Sequence, residues 1–261
     1  MADDPVYLER DGATRWLVLD RPEKRNALSL SMWQAIPALV AEAEADPGCR
    51  VLAVRGAGDE AFAAGADISE FPRVFATAAG RERYSDAVGE AEQCLGAFPR
   101  PTVAVIRGDC IGGGVELALA CDMRFAAGGS RFGITPARLG VVYSLASTRR
   151  LMHLVGVSRT RDLLYTGRLF DAREALEMGL VDALHPAAAL DDAVAGWIAV
   201  VNGNSGYSVA AAKAITGMIL DGATNETPES RALRVEGFAG DDAKEGIAAW
   251  LEKRKPGFPD G

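Results

Sequence analysis

Histidine is scarce in this sequence: His153 and His185 are the two among 261 residues. A His-based triad or a zinc site is therefore poorly supplied, and no metal is expected. Cysteine is sparse too. Cys49, Cys94, Cys110 and Cys121 are scattered and form no CxxC pair, so they read as buried free thiols of a reducing cytoplasm. Basic charge is in deficit, with 28 Lys and Arg against 36 Asp and Glu, a net −8. An acidic surface argues against nucleic acid as a partner, because phosphate binding needs a basic face. No apolar run is long enough to span a bilayer, so no membrane segment is expected. The opening MADDPVYLER has neither a basic nor an apolar leader region, so no secretory signal is expected and the location reads as cytoplasmic.

What the chain does have is apolar mass and glycine. Hydrophobic residues make up 49%, enough for a sizeable core in one large domain or two small ones. The stretch that organises the reading is RGDCIGGGVELALACD, Arg107 to Asp122. Its three glycines, Gly112 to Gly114, follow the strand-like run Val103 to Ile106 and lead into a helical run. Glycine lets another molecule approach the backbone closely. The first N–H groups of a helix lack internal partners and suit an anion or a developing oxyanion. Glu116 stands in that first turn. It fits a favourable helix-start charge equally as it fits a base beside an oxyanion site.

Val6–Glu9 and Arg15–Leu19 read as strands around an Asp11-Gly12 hairpin signal. The loop RPEKRNAL, Arg21 to Leu28, is basic; Lys24 and Arg25 suit a solvated turn or a phosphate. Ser29 or Ser31 caps a helix with Met32, Trp33, Ile36, Leu39 and Val40 on one face, in which Pro37 predicts a kink or a later start. The strand VLAVR, Val51 to Arg55, empties into GAGDEA, a weak dinucleotide-type pattern with no helix after it. AFAAGADISEF follows, where Ala63 to Ala66 are all small and expose their backbone. VAVIRG, Val103 to Gly108, repeats the form of VLAVRG, Val51 to Gly56. Two such units imply a parallel sheet with both turns on one side, so Ala66 and Gly113 should converge. Tyr143, in TPARLGVVYSL, fits a half-buried aromatic or a hydroxyl at the site. Helices are expected around Ser147–Val155, Ser158–Tyr165 and, with Asp171 as cap, through Met178. From Ala187 on, all is expected to be helical. The chain thus divides into an alternating core, 1–186, and a helical region, 187–261, of the kind used for assembly.

Together RPEKRNALS, AFAAGADISEF, IRGDCIGGGVELALACD and EGIAAWLEKRKPGF resemble the crotonase superfamily, also called the enoyl-CoA hydratase/isomerase family. The resemblance runs the length of the chain. It implies an α/β fold, a spiral of ββα units with a C-terminal helical trimerisation region, in trimers or hexamers. It implies acyl-CoA thioester substrates and no cofactor beyond the coenzyme A that the substrate carries. It also implies an oxyanion hole from the N–H groups of Ala66 and Gly113. Coenzyme A contacts are implied for Lys24, for the Ala64, Ala66, Asp67 and Ile68 stretch, and for Trp250 and Lys253, the last two from a neighbouring subunit. The family more often has Phe where Trp250 stands.

One departure bears on mechanism. Hydratases of the family use two glutamates around a water. Glu116 matches the first, while Pro136 stands where the second would be, in FGITPARLG. The TPARLGVVYSL segment resembles the methylmalonyl-CoA decarboxylase branch, which has a tyrosine at the place of Tyr143, yet that branch has a histidine where this chain has Ala66. The favoured expectation is a hydratase or isomerase with Glu116 as acid/base, helped by Tyr143. The alternatives are a decarboxylase using Tyr143 and the oxyanion hole, a non-catalytic acyl-CoA-binding trimer and, weakest, a nicotinamide dehydrogenase.

Overall fold

A computed structural model gives the structure and describes residues 5–258. The first four residues, on which the leaderless reading partly rests, lie outside the described residues. The strands are β1 (Val6–Asp11), β2 (Thr14–Leu19), β3 (Val51–Gly56), β4 (Ala61–Ala63), β5 (Thr102–Ile106), β6 (Asp109–Ile111), β7 (Met123–Ala127), β8 (Arg131–Gly133), β9 (Leu169–Asp171) and β10 (Ala183–His185). The helices are α1 (Leu30–Ala45), α2 (Phe71–Val74), α3 (Ala78–Ala97), α4 (Gly113–Ala120), α5 (Pro136–Leu139), α6 (Leu145–Thr166), α7 (Ala172–Glu177), α8 (Leu190–Asn202), α9 (Gly206–Leu220), α10 (Pro228–Ala239) and α11 (Asp241–Glu252).

The larger sheet runs β1-β2-β3-β5-β7-β10, parallel except for the β1–β2 hairpin. Alternation along each strand sends residues to two apolar layers. Leu52, Val54, Ala104 and Ile106 join the main core, with Trp33, Leu95 and Leu117. Val51, Ala53, Val103 and Val105 form a second layer, covered by Leu190, Val194 and Ile198 of α8. A sheet covered on both faces explains why VLAVR and VAVIR are almost wholly apolar. A second sheet, β4-β6-β8-β9, is made of three-residue strands. Each of β3, β5 and β7 hands the chain to a short strand, β4, β6 or β8, before the next helix. That is the ββα spiral implied by the family resemblance.

Pro37 lies inside α1, which runs unbroken from its Ser29 cap. The two helical stretches expected after Tyr143 are the halves of α6, parted at Gly156 by a non-helical φ of 78°. From α9 on, the chain is helical, and apolar side chains there, among them Phe238, Ile247 and Trp250, stay exposed in a single chain. No helix among the described residues is long and apolar enough to cross a membrane.

Asn26, in the RPEKRNAL loop, is a principal tie between the turns. It is buried at φ 55°, a left-handed conformation that asparagine tolerates better than most residues. Its Oδ1 accepts from Arg21 N at 2.9 Å, and its Nδ2 donates to Ala57 O at 3.0 Å and Ala61 O at 2.7 Å. Asn26→Ala should cost about 2–4 kcal/mol, because buried carbonyls lose their donor and the backbone is strained. Equilibrium denaturation in urea checks this; a loss under about 0.5 kcal/mol contradicts it.

Candidate active site

Two backbone segments meet at the site. Leu28 bridges Ala66 in parallel fashion: Leu28 N donates to Gly65 O and Asp67 N to Leu28 O, each at 2.8 Å. In that pattern the N–H of the middle residue, Ala66, points away from its partner strand. Among the described residues it has no backbone acceptor. The other segment is the N-terminus of α4. Gly112 caps it at φ 50° and ψ −114°, a backbone conformation that glycine alone adopts readily. A Cβ on Gly114 would lie 2.5 Å from Ala63 O, so only glycine lets α4 pack this closely on β4. A Cβ on Gly113 would lie 3.6 Å from Ala66 N. The structure thus brings together the two backbones that the sequence paired. The Gly113 N–H, like that of Ala66, has no backbone acceptor among the described residues.

Glu116 lies one turn into α4. Burial, and next the charge of Glu92, push its carboxyl up to about 8, with no hydrogen bond opposing them. It therefore titrates near neutrality, where a proton shuttle works best. Glu92 is a residue that motif reading missed. It lies on α3 with its side chain fully buried. Its Oε2 accepts from Arg150 Nη1 at 3.2 Å and from Ser144 Oγ at 3.4 Å, while Oε1 has no partner. Burial raises its pKa against the pull of Ser147, Arg150 and Ser144. The one available signal was spacing: Val88, Glu92 and Leu95 share the apolar face of α3, where a glutamate is out of place.

The Tyr143 hydroxyl donates to Gly112 O at 2.7 Å. Pro136 is buried at the first position of α5, after Thr135. The Trp33 ring packs on Gly113, with its Cζ2 3.1 Å from where a Cβ would be, and Trp33 is itself fully buried. Tyr84 of α3 stands edge-on to Phe71 and Phe75, at 5.7 and 5.4 Å between ring centres. Burial raises its hydroxyl, with Glu116, Glu70 and Asp67 adding to the effect. Phe71, Phe75 and Tyr84 come from the segment Phe71 to Phe98.

The remaining candidates fall in two places. Ala64 N donates to Arg25 O at 2.9 Å, and Ile68, two residues after Ala66, is half exposed. Asp67 is buried, which would raise its pKa. Its bonds from Ser69, Lys24 and Arg21 outweigh burial and hold it well below the usual carboxylate range. Lys24 Nζ and Arg21 Nη2 each lie 2.9 Å from Asp67 Oδ2. Lys24 and Asp67 are thus brought together as an ion pair at the entrance of the Ala64–Ile68 stretch. Arg25 pairs with Asp109. Trp250 and Lys253 lie at the end of α11, which packs on α10; Trp250 is 84% exposed. Within one chain they are not joined to the site. No group of three or more metal-binding side chains gathers among the described residues.

The model of the family described as enoyl-CoA hydratase/isomerase matches residues 11–261. The crotonyl-CoA hydratase of Syntrophomonas wolfei subsp. wolfei is 34% identical over 268 residues, covering 99% of each chain. The short-chain-enoyl-CoA hydratase of Clostridium acetobutylicum is 32% identical, covering 96% of this chain and 95% of its own. Among solved structures, an enoyl-CoA hydratase/isomerase family protein of Hyphomonas neptunium superposes with a TM-score of 0.96 at 42% identity, covering 98% of each chain.

Proposed function

The chain belongs to the enoyl-CoA hydratase/isomerase family, and from that premise we propose that it hydrates an enoyl-CoA thioester. The observation that carries the reading is the approach of two backbones, the start of α4 at Gly113 and the Ala66 N–H, with Glu116 one turn along the same helix and burial pushing its carboxyl up to about 8. Water adds to the β-carbon of the enoyl group and charge moves to the thioester oxygen. Two preorganised donors stabilise that oxygen, each worth roughly 3–4 kcal/mol in comparable sites. The Glu116 carboxylate takes the proton of the attacking water and returns it to the α-carbon. With Pro136 in place of a second glutamate, one carboxyl serves both transfers. No redox change occurs, and coenzyme A enters with the substrate.

In this reading Lys24, with Asp67 beneath it, and the Ala64, Ala66 and Ile68 backbone hold coenzyme A. Trp250 and Lys253 reach the site of a neighbouring copy in a trimer or hexamer. The exposed apolar residues of α9 to α11 support that assembly, and a helical assembly region following a spiral core is part of the same proposal. A second reading rests on Pro136: loss of CO₂ from an alkylmalonyl thioester makes the same enolate without needing a base, and a hydroxyl such as that of Tyr143 is at hand to protonate it.

The test is the pH profile of hydration. Glu116 must start as carboxylate, so kcat/KM for crotonyl-CoA should rise with pH through a limb near 8. Among the described residues the charges around Glu116 are Glu92 of α3 and its partner Arg150 of α6, with Tyr84 and Tyr143 as neutral neighbours. Removing a nearby negative charge lowers a carboxyl pKa. Glu92→Gln should therefore move the limb to lower pH. A flat profile, or a limb that moves upward in that variant, speaks against Glu116 as the base.

A further inference from the structure

Tyr143 has one hydrogen bond, and its acceptor is informative. Gly112 O belongs to the same peptide unit as Gly113 N. That unit is planar and trans, so its C=O and N–H point in opposite directions, and fixing one aims the other. The aim is set by the ψ of Gly112, −114°, at a φ of 50°. Glycine constrains these angles less than any other residue, so the plane has latitude to rotate. Two donors restrain it: Glu116 N at 3.1 Å, as a turn of α4, and the Tyr143 hydroxyl at 2.7 Å. The second comes from outside the helix and is the shorter.

We propose that Tyr143 is a positioning residue for the oxyanion hole: its hydroxyl holds the Gly112 carbonyl so that the Gly113 N–H stays aimed at, and polarised toward, the thioester oxygen. This rests on the reading of Gly113 N–H as an oxyanion donor. The hydroxyl is suited to a permanent bond. Burial, then the nearby carboxyls of Glu116 and Glu92, raise its pKa well above the ordinary tyrosine value. It keeps its proton, and donates, across the working range. Hydrogen bonding at a carbonyl also strengthens the N–H of the same amide, as in any hydrogen-bonded chain. Val141 and Val142 before it are exposed, so the ring, not the loop, anchors this segment to α4.

The test uses a chromophoric thioester, dimethylaminocinnamoyl-CoA, whose absorption shifts to the red when its carbonyl is polarised. In Tyr143→Phe the shift of the bound probe should shrink. The kcat for crotonyl-CoA hydration should fall about tenfold, the scale of one hydrogen bond, while KM stays within about twofold and the pH limb stays in place. Fluorotyrosine incorporated at position 143 keeps the ring and is a stronger donor, so it should enlarge the shift. A shift in Tyr143→Phe equal to that of the unaltered enzyme overturns the proposal. So does an intact shift accompanied by an altered pH profile, which would make the hydroxyl a proton donor. If the unaltered enzyme binds the probe with no shift at all, the oxyanion-hole reading itself fails, and this inference with it.

Discussion

Glu116→Gln should lower kcat for crotonyl-CoA hydration by about 10²–10⁴-fold, with KM changed by less than about threefold. The amide has nearly the same shape, and among the described residues no hydrogen bond or ion pair involves the carboxylate. The fold therefore loses nothing in exchange. It also loses a cost, because an ionised carboxyl is disfavoured in this surrounding, so the variant should melt at the same temperature or higher above pH 8. What disappears is the group that accepts the water proton, and no second acid stands in reserve where Pro136 lies. Glu92 does not replace it: Arg150 and Ser144 hold one of its oxygens and the whole side chain is enclosed. Steady-state kinetics on the two enzymes, with thermal unfolding as control, measure this. Full activity in Glu116→Gln would transfer the chemistry elsewhere.

Ala66→Pro should lower kcat by about 10²–10³-fold, the loss seen when one oxyanion donor is removed. The change is selective for a structural reason. The local pairing uses Gly65 O and Asp67 N with Leu28, so proline at 66 deletes an N–H that the fold does not use. Its ring also takes up room in the hole. A nearly unchanged denaturation midpoint together with a large kinetic loss is the expected signature. An equal loss of both would mean that the Ala66 N–H matters to folding, and an unaffected kcat would place the oxyanion elsewhere.

The two converging backbones were legible because small residues at Ala63 to Ala66 and Gly112 to Gly114 leave the backbone open to close approach. The strands VLAVR and VAVIR were legible because both faces of the larger sheet are covered, which makes them continuously apolar. Of the second sheet, the run Arg131 to Ile134 reads as a strand and is β8, while β4, β6 and β9 were not legible, being three residues long with no period. Long-range pairing hid the rest. Lys24 reads equally as a solvated turn residue or a phosphate ligand, and its partner Asp67, 43 positions away at 2.9 Å, is not visible in the sequence. Glu92 reads as one charge among many on α3 until Arg150, 58 positions on, encloses it. Tyr143 reads as a half-buried aromatic or a hydroxyl at the site, and its acceptor, Gly112 O, is not visible in the sequence. In each case the residue type was visible and the partner was not, because distance along the chain carries no information about contact across the fold.

The central claim is that water adds to an enoyl-CoA thioester in a hole formed by Ala66 and Gly113 with Glu116 as the single acid/base. Mass spectrometry of the purified protein with crotonyl-CoA and methylmalonyl-CoA side by side tests it most directly. A gain of one water on crotonyl-CoA, with methylmalonyl-CoA unchanged, is the expected result. Loss of CO₂ from methylmalonyl-CoA, with crotonyl-CoA untouched, would contradict it.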